Sequence, residues 1–287
     1  MTHTAPPPFT WPDRAVLLRR LTVTVINFAI VSPVRNYLLD FRAYYAAGAA
    51  LRAGLDPYDT ALVKERINLP GQQSIVPYVY PPPTLLLARA FAALPYPAAQ
   101  VPWALLQAAL AAAAFLCVCR AFGLALGGPG SVLLAVVFAL SSSVAQLFRW
   151  GQFDMIVLAF VAAAVLALTR RRHLLAGVCL GLATVAKVTP GAYLVVLAIR
   201  RDWRTLTAAL ATIVATCAAA AAVLPAGTFT AWRANLARLS GDVTVHNHSL
   251  RGFLFAAFTE FTEKDQLSRP WLSLPPAAVQ AVALVLA

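Results

Sequence analysis

Long apolar runs dominate this chain, separated by short basic clusters and by two long polar stretches. Residues 17–34 form a first run of about 18 residues, close to the roughly 20 that a helix needs to cross a bilayer. Residues 98–122, 131–148, 153–168 and 205–224 form further runs of spanning character. Residues 174–199 are also apolar but are interrupted by Lys187 and Pro190, and a last run, 277–287, reaches the C-terminus. The pattern predicts an all-α, polytopic integral membrane protein. No repeat at a fixed period is evident.

Charge sets the orientation. Arg14 precedes the first run and Arg19 and Arg20 lie at its start, and "RRRH" (170–173) and "RRDWR" (200–204) close two others. Basic residues in short loops mark the cytoplasmic side. The N-terminus and both arginine clusters are therefore expected inside, and the stretches 35–97 and 225–276 outside. Residues 174–199 then have basic clusters at both ends, although 26 residues cannot cross twice at about 20 each. A re-entrant hairpin turning near Lys187 and Pro190 resolves the count, because broken backbone is tolerated where it lines a protein cavity. A single span with one basic cluster outside is the alternative. "YPPPTLLLARAFAAL" (80–94) is apolar but short, and reads as a helix in the outer interface. The Pro-rich residues 1–13 read as a disordered cytoplasmic tail ahead of a transmembrane domain over 14–287.

Composition agrees and narrows the class. The 287 residues are 60% hydrophobic and 12% charged, against roughly 45–50% and about 25% in soluble domains. The net charge of +12 sits at the ends of apolar runs rather than in a basic stripe with interleaved polar residues, so nucleic acid is not an expected partner. The four cysteines lie inside apolar segments and read as small hydrophobes. No small-residue cleavage site follows the first run, so no cleavable signal is expected.

Ionisable groups in or at the lip of membrane segments are costly and are functional candidates by default. Asp40, in "LLDFRAYYAAGAALRAGLDPYD", opens a helix that Gly54 can end, and Tyr44 shares its face one turn on. Asp40 reads either as the N-cap or as a chemical group. Asp56 to Asp59, including Tyr58, read as a turn. Gln152 and Asp154 sit at the outer mouth of a span, where Asp154 could serve as its cap. Lys187, flanked by Thr184 and Thr189, needs a partner or must snorkel; at a re-entrant tip it would face an anionic ligand. The second outer stretch holds "HNHSLRG", with His246, Asn247, His248, Ser249 and Arg251, suited to anion and sugar contacts. Its ligand spacing falls short of a catalytic metal site.

In this order, "DFRAYYAAGAALRAGLDPYD", "YVYPPP", "RWGQFD", "AGVCLGLATVAKVTP" and "HNHSLRG" resemble the polyprenol-phosphate-mannose-dependent mannosyltransferases, glycosyltransferase family 87 (GT87, DUF2029) of the GT-C superfamily. The resemblance covers roughly residues 14–287. It implies a GT-C-type helical bundle in the cell (plasma or inner) membrane, with its active site on the external face. It also implies inverting transfer of a sugar, mannose by resemblance, from a polyprenyl-phosphate donor to a lipid or glycan acceptor hydroxyl. The family's general base is a carboxylate of the first outer loop, and that match falls on Asp40. Lys187, His248 and Arg251 are the expected partners of the leaving phosphate. "YPPP", with Tyr80, resembles the donor-side interfacial helix. Tyr44, Tyr58, Gln152, Asp154, Asn247 and Ser249 complete the expected donor- and acceptor-binding set. No cofactor is implied beyond the lipid-linked sugar as substrate. Such proteins usually carry further C-terminal spans, so this chain resembles a truncated member that lacks part of the donor cavity. The rival readings are a polytopic transporter, which favours paired broken helices in two related halves, and a non-catalytic membrane assembly subunit.

Overall fold

A computed structural model describes residues 38–70 and 75–239, together with two short strands at 261–263 and 266–268. The apolar runs 17–34 and 277–287 lie outside the described residues, as do His246, Asn247, His248, Ser249 and Arg251. The chain divides into two compact units, residues 1–232 and 233–287.

The described part of the first unit is helical. Its elements are α1 (Leu39–Arg52), α2 (Thr60–Arg66), α3 (Thr84–Phe91), α4 (Tyr96–Ala121), α5 (Pro129–Leu140) and α6 (Ser142–Trp150). There follow α7 (Asp154–Thr169), α8 (His173–Ala186), a 3-10 turn (Thr189–Gly191), α9 (Ala192–Ile199), α10 (Trp203–Val223) and the start of α11 (Thr228–Leu239). The second unit contains the end of α11 and an antiparallel pair, β1 (Phe261–Glu263) and β2 (Gln266–Ser268), with Thr262 opposite Leu267. Among the described residues, that pair is the departure from an otherwise all-α membrane protein.

Among the described residues, two helices are long and apolar enough to cross a membrane, α4 with 26 residues and α10 with 21. Helices α5 and α6 together are a third candidate, bent by 57° at their junction. The sequence reads 131–148 as one run. The structure breaks it because the Ser141 hydroxyl accepts from the Val144 N–H at 3.4 Å and starts a new helix. α7 packs along α4 through small residues, Ala114 against Ala159 and Ala162, the usual means of close helix approach in a membrane. α8 packs against α10, where Ala176, Ala183 and Ala209 are fully buried.

Residues 174–199 fold back on themselves. Lys187 takes an extended conformation (φ −153°, ψ 133°) that ends α8, and the 3-10 turn at Pro190 leads into α9. His173 Nδ1 and Asp202 Oδ2 then meet at 3.0 Å, so both basic ends of the segment arrive at one place. This is the hairpin geometry and not that of a single span.

The opening helix differs from expectation at its first turn. α1 is rich in alanine, the best helix former. It ends in a Schellman turn, with Leu55 N–H on Ala50 O at 2.9 Å and Gly54 N–H on Leu51 O at 3.3 Å. Its N-cap, however, is Leu38, which makes no side-chain capping bond, and Asp40 lies inside the helix. Asp40 is therefore not the cap, and its carboxylate is free for other partners. Asp59 is a cap: it accepts from Ala61 and Leu62 N–H at 3.1 and 3.0 Å to start α2.

Candidate functional site

An aromatic core holds the site in place. Phe41 stacks on Trp103 at 5.0 Å, and Tyr44 meets Phe153 edge-on at 4.4 Å and Tyr80 at 5.0 Å. Such pairs contribute about 0.5–1.5 kcal/mol each beyond their burial. The hydroxyls of Tyr44 and Tyr58 inside this core are hydrogen-bonded. Tyr44 donates to Tyr80 Oη at 2.8 Å and accepts from the Phe153 N–H at 3.3 Å. Tyr58 donates to the Tyr80 carbonyl at 2.8 Å. Burial pushes the Tyr44 phenol well above its ordinary value, helped by Tyr80 and Asp40. Tyr44 and Tyr58 are each 2% exposed, so they shape the floor of the site rather than line its opening.

The turn "WGQF" is fastened from two sides. Trp103 Nε1 donates to the Gly151 carbonyl at 3.1 Å, and Gln107 Nε2 to the Gln152 carbonyl at 2.7 Å. Gly151 ends α6 in the left-handed region, at φ 67°. A Cβ there would sit 2.9–3.0 Å from Leu38, Phe41 and Trp103, so glycine is required by both conformation and space. This places Gln152 beside Asp40 and Asp154 at the first turn of α7.

Four side chains from four elements thereby converge. The Gln152 amide lies close enough to the half-buried Asp40 carboxylate to lower its pKa as a donor, and Asp154 and Lys187 both lie within electrostatic reach of it. Burial pushes the Asp40 carboxyl above its ordinary value; the Gln152 bond and Lys187 oppose that rise, while Asp154 adds to it. A carboxylate whose pKa is moved toward neutrality is a better-matched proton acceptor at working pH. The Tyr80 hydroxyl also feels both Asp40 and Asp154, which puts it at the edge of the same cluster.

Lys187 has the partner that its position demanded. Its Nζ donates to Asp154 Oδ1 at 2.6 Å, with the two side chains 35% and 28% exposed. Asp154 is not a cap: the N-cap of α7 is Phe153, and the aspartate is its first residue. Asp154 Oδ2 is buried without a hydrogen-bond partner among the described residues. One carboxylate oxygen thus neutralises the lysine while the other can still accept from a ligand. Thr184 takes no part, since its hydroxyl donates to the Leu180 carbonyl within α8.

The structure therefore brings together Asp40, Tyr80, Gln152, Asp154 and Lys187, backed by Tyr44. Gln107 was not among the sequence candidates. It is 1% exposed, it fixes the Gln152 backbone, and its Oε1 is buried without a partner among the described residues. The one signal that could have found it is an amide inside the apolar run 98–122.

Comparison with known families matches residues 78–287 to glycosyltransferase family 87. No curated protein matches the chain, and no solved structure matches it. Tyr80, Gln152, Asp154 and Lys187 fall within the matched residues; Asp40, Tyr44 and Tyr58 precede them.

Proposed function

Since the chain belongs to glycosyltransferase family 87, we propose that this membrane glycosyltransferase moves mannose from a polyprenyl-phosphate donor to a lipid or glycan hydroxyl, with Asp40 as general base. The observation that carries this reading is the convergence on Asp40 of Gln152, Asp154 and Lys187, all three from the family-matched part of the chain. Asp40 lies before that part, so its role rests on geometry.

The chemistry follows from the groups at hand. Asp40 takes the proton of the acceptor hydroxyl as that oxygen attacks the anomeric carbon. The bond from the anomeric carbon to the phosphate oxygen breaks on the opposite face, and polyprenyl phosphate leaves with the bonding electrons, inverting the configuration. Proton removal by a positioned carboxylate contributes about 10²–10⁴-fold. The phosphate already activates the sugar, so the reaction as proposed draws on no metal or cofactor. Negative charge develops on the departing phosphate and calls for cations. Lys187 has three N–H bonds and gives one to Asp154, so it can still donate to an anion. Arg251 and His248 are the other proposed partners of the phosphate, with Asn247 and Ser249 on the sugar.

The proposed setting is the cell membrane, crossed several times, with this cluster on the external side and the arginine turns inside. The test is transfer from radiolabelled polyprenyl-phosphate-mannose in membranes carrying the chain, compared with Asp40→Asn. Loss of transfer in the well-expressed variant is expected. Wild-type transfer by Asp40→Asn excludes the base, and no transfer by the wild type from this donor excludes the mannose reading.

A further inference from the structure

The end of α7 opposite Asp154 carries a second constellation. Sixteen residues separate the two ends, about 24 Å of helix. A cavity of about 460 Å³ opens here between α7, α8 and α9, walled by Val161, Val165, Leu180, Tyr193, Val196 and Leu197. His173, Arg200 and Asp202 are its polar lining. His173 also lines an adjoining open depression of about 560 Å³, together with Arg171, Arg172 and Arg204. An apolar slot therefore continues into a basic bowl.

Three features show that this end is built for a negative charge. The α8 N-terminus begins at His173, and Arg172 at its N-cap makes no side-chain capping bond. Cations are disfavoured at a helix N-terminus, and anions favoured, yet this one is ringed by arginines. Next, Arg171 stands in the left-handed region at φ 55°, closing a Schellman turn in which Arg172 N–H bonds Ala167 O at 2.8 Å. Glycine is the ordinary residue there. Arg201 repeats the arrangement at φ 56° in the neighbouring turn, with Asp202 N–H on Leu197 O at 3.0 Å. Such a conformation is costly at a non-glycine residue, and both turns keep an arginine in it. Lastly, the carboxylate at hand, Asp202, is already occupied. Its Oδ1 accepts from Thr205 N–H at 3.2 Å, and its Oδ2 meets Thr205 Oγ1 at 2.7 Å and His173 Nδ1 at 3.0 Å. Among the described residues, Arg171, Arg172 and Arg204 form no ion pair.

We propose that this end of the bundle seats an anionic glycerophospholipid, its phosphate on Arg171, Arg172 and Arg204 and one acyl chain in the slot between α7 and α9. Basic pockets between membrane helices recognise anionic headgroups in this way. The slot runs from Val161 to Leu168 along α7, about 10 Å, and a membrane supplies the hydrocarbon to fill it. The site is independent of sugar transfer: it requires only that the chain resides in a membrane.

Native mass spectrometry of the full chain, given equal amounts of phosphatidylglycerol and phosphatidylcholine, tests it. The wild type should retain phosphatidylglycerol preferentially. Arg171→Gly removes a cation while relieving the left-handed backbone, so folding is not at risk, and it should lower that preference roughly fivefold. Val196→Phe should lower it by filling the slot with all charges intact. A thermal-shift arm with soluble glycerol phosphate separates a lipid seat from a phosphate site, and glycerol phosphate should not raise the unfolding temperature as phosphatidylglycerol does. Equal retention of both lipids, undiminished preference in either variant, or equal protection by glycerol phosphate overturns the proposal.

Discussion

Lys187 Nζ and Asp154 Oδ1 meet at 2.6 Å across 33 residues of sequence, tying the break after α8 to the first turn of α7. The pair makes the tip of the α8–α9 hairpin part of the same cluster as Asp40. It also changes what Lys187 is: an oriented cation held by a carboxylate, rather than a lysine reaching alone for solvent.

Breaking this pair from one side should be worse than removing both partners. Lys187→Ala leaves an uncompensated, partly buried aspartate and should cost about 1–3 kcal/mol. The double variant Lys187→Met with Asp154→Asn should recover part of that loss. Thermal unfolding of the purified chain in detergent measures both; a double variant no better than the sum of the singles excludes direct coupling.

Asp40→Asn separates chemistry from architecture. Because Leu38 rather than Asp40 is the N-cap, the substitution removes no capping bond, and the unfolding temperature should stay within a degree or two. Sugar transfer should fall by at least about 10²-fold. Parallel loss of both properties would assign Asp40 to the fold.

The pH dependence of transfer reports the Asp40 environment. Its carboxyl is raised above the ordinary value, chiefly by burial, so the acid limb of kcat/KM should lie above the usual aspartate value of about 3.9. The Gln152 bond lowers the Asp40 pKa and Asp154 raises it. Gln152→Leu should therefore move the acid limb to higher pH, and Asp154→Asn should move it lower. Shifts of the same sign in both variants contradict the arrangement.

Gly151→Ala should damage the site from outside it. The new Cβ meets Leu38, Phe41 and Trp103 at 2.9–3.0 Å in a left-handed turn, which costs about 1–3 kcal/mol. Displacement of Gln152 and Asp154 should lower kcat more than it raises KM. Unchanged unfolding temperature and unchanged transfer would mean that this turn is not a constraint.

The sequence pattern reached some of these features and not others. The apolar runs at 98–122 and 205–224 coincide closely with α4 and α10, because composition alone decides a span. The hairpin at Lys187 was legible from basic clusters at both ends of a segment too short to cross twice. The break at Ser141 had a signal in three consecutive serines, which favour helix caps. Of the two readings of Asp40, the cap fails by two positions, with Leu38 as N-cap, because boundaries depend on which residue leaves helical backbone first. The Lys187–Asp154 pair needed the hairpin folded against α7. Gln107 was harder still, since its partner is a backbone carbonyl that no side-chain pattern announces. The strands β1 and β2 are three residues each, too short for alternation to register.

The length of α7 has a consequence for the membrane itself. Its 16 residues span about 24 Å, against a hydrocarbon thickness of about 30 Å. Its neighbour α4, with 26 residues, reaches about 39 Å. Such a hydrophobic mismatch is met by thinning the bilayer locally around the shorter helix. Under the proposed topology, local thinning would lower the headgroup plane toward Asp154, Lys187 and Asp40. For the proposed polyprenyl-phosphate donor, that would bring the phosphate to these groups without lifting the lipid out of its leaflet.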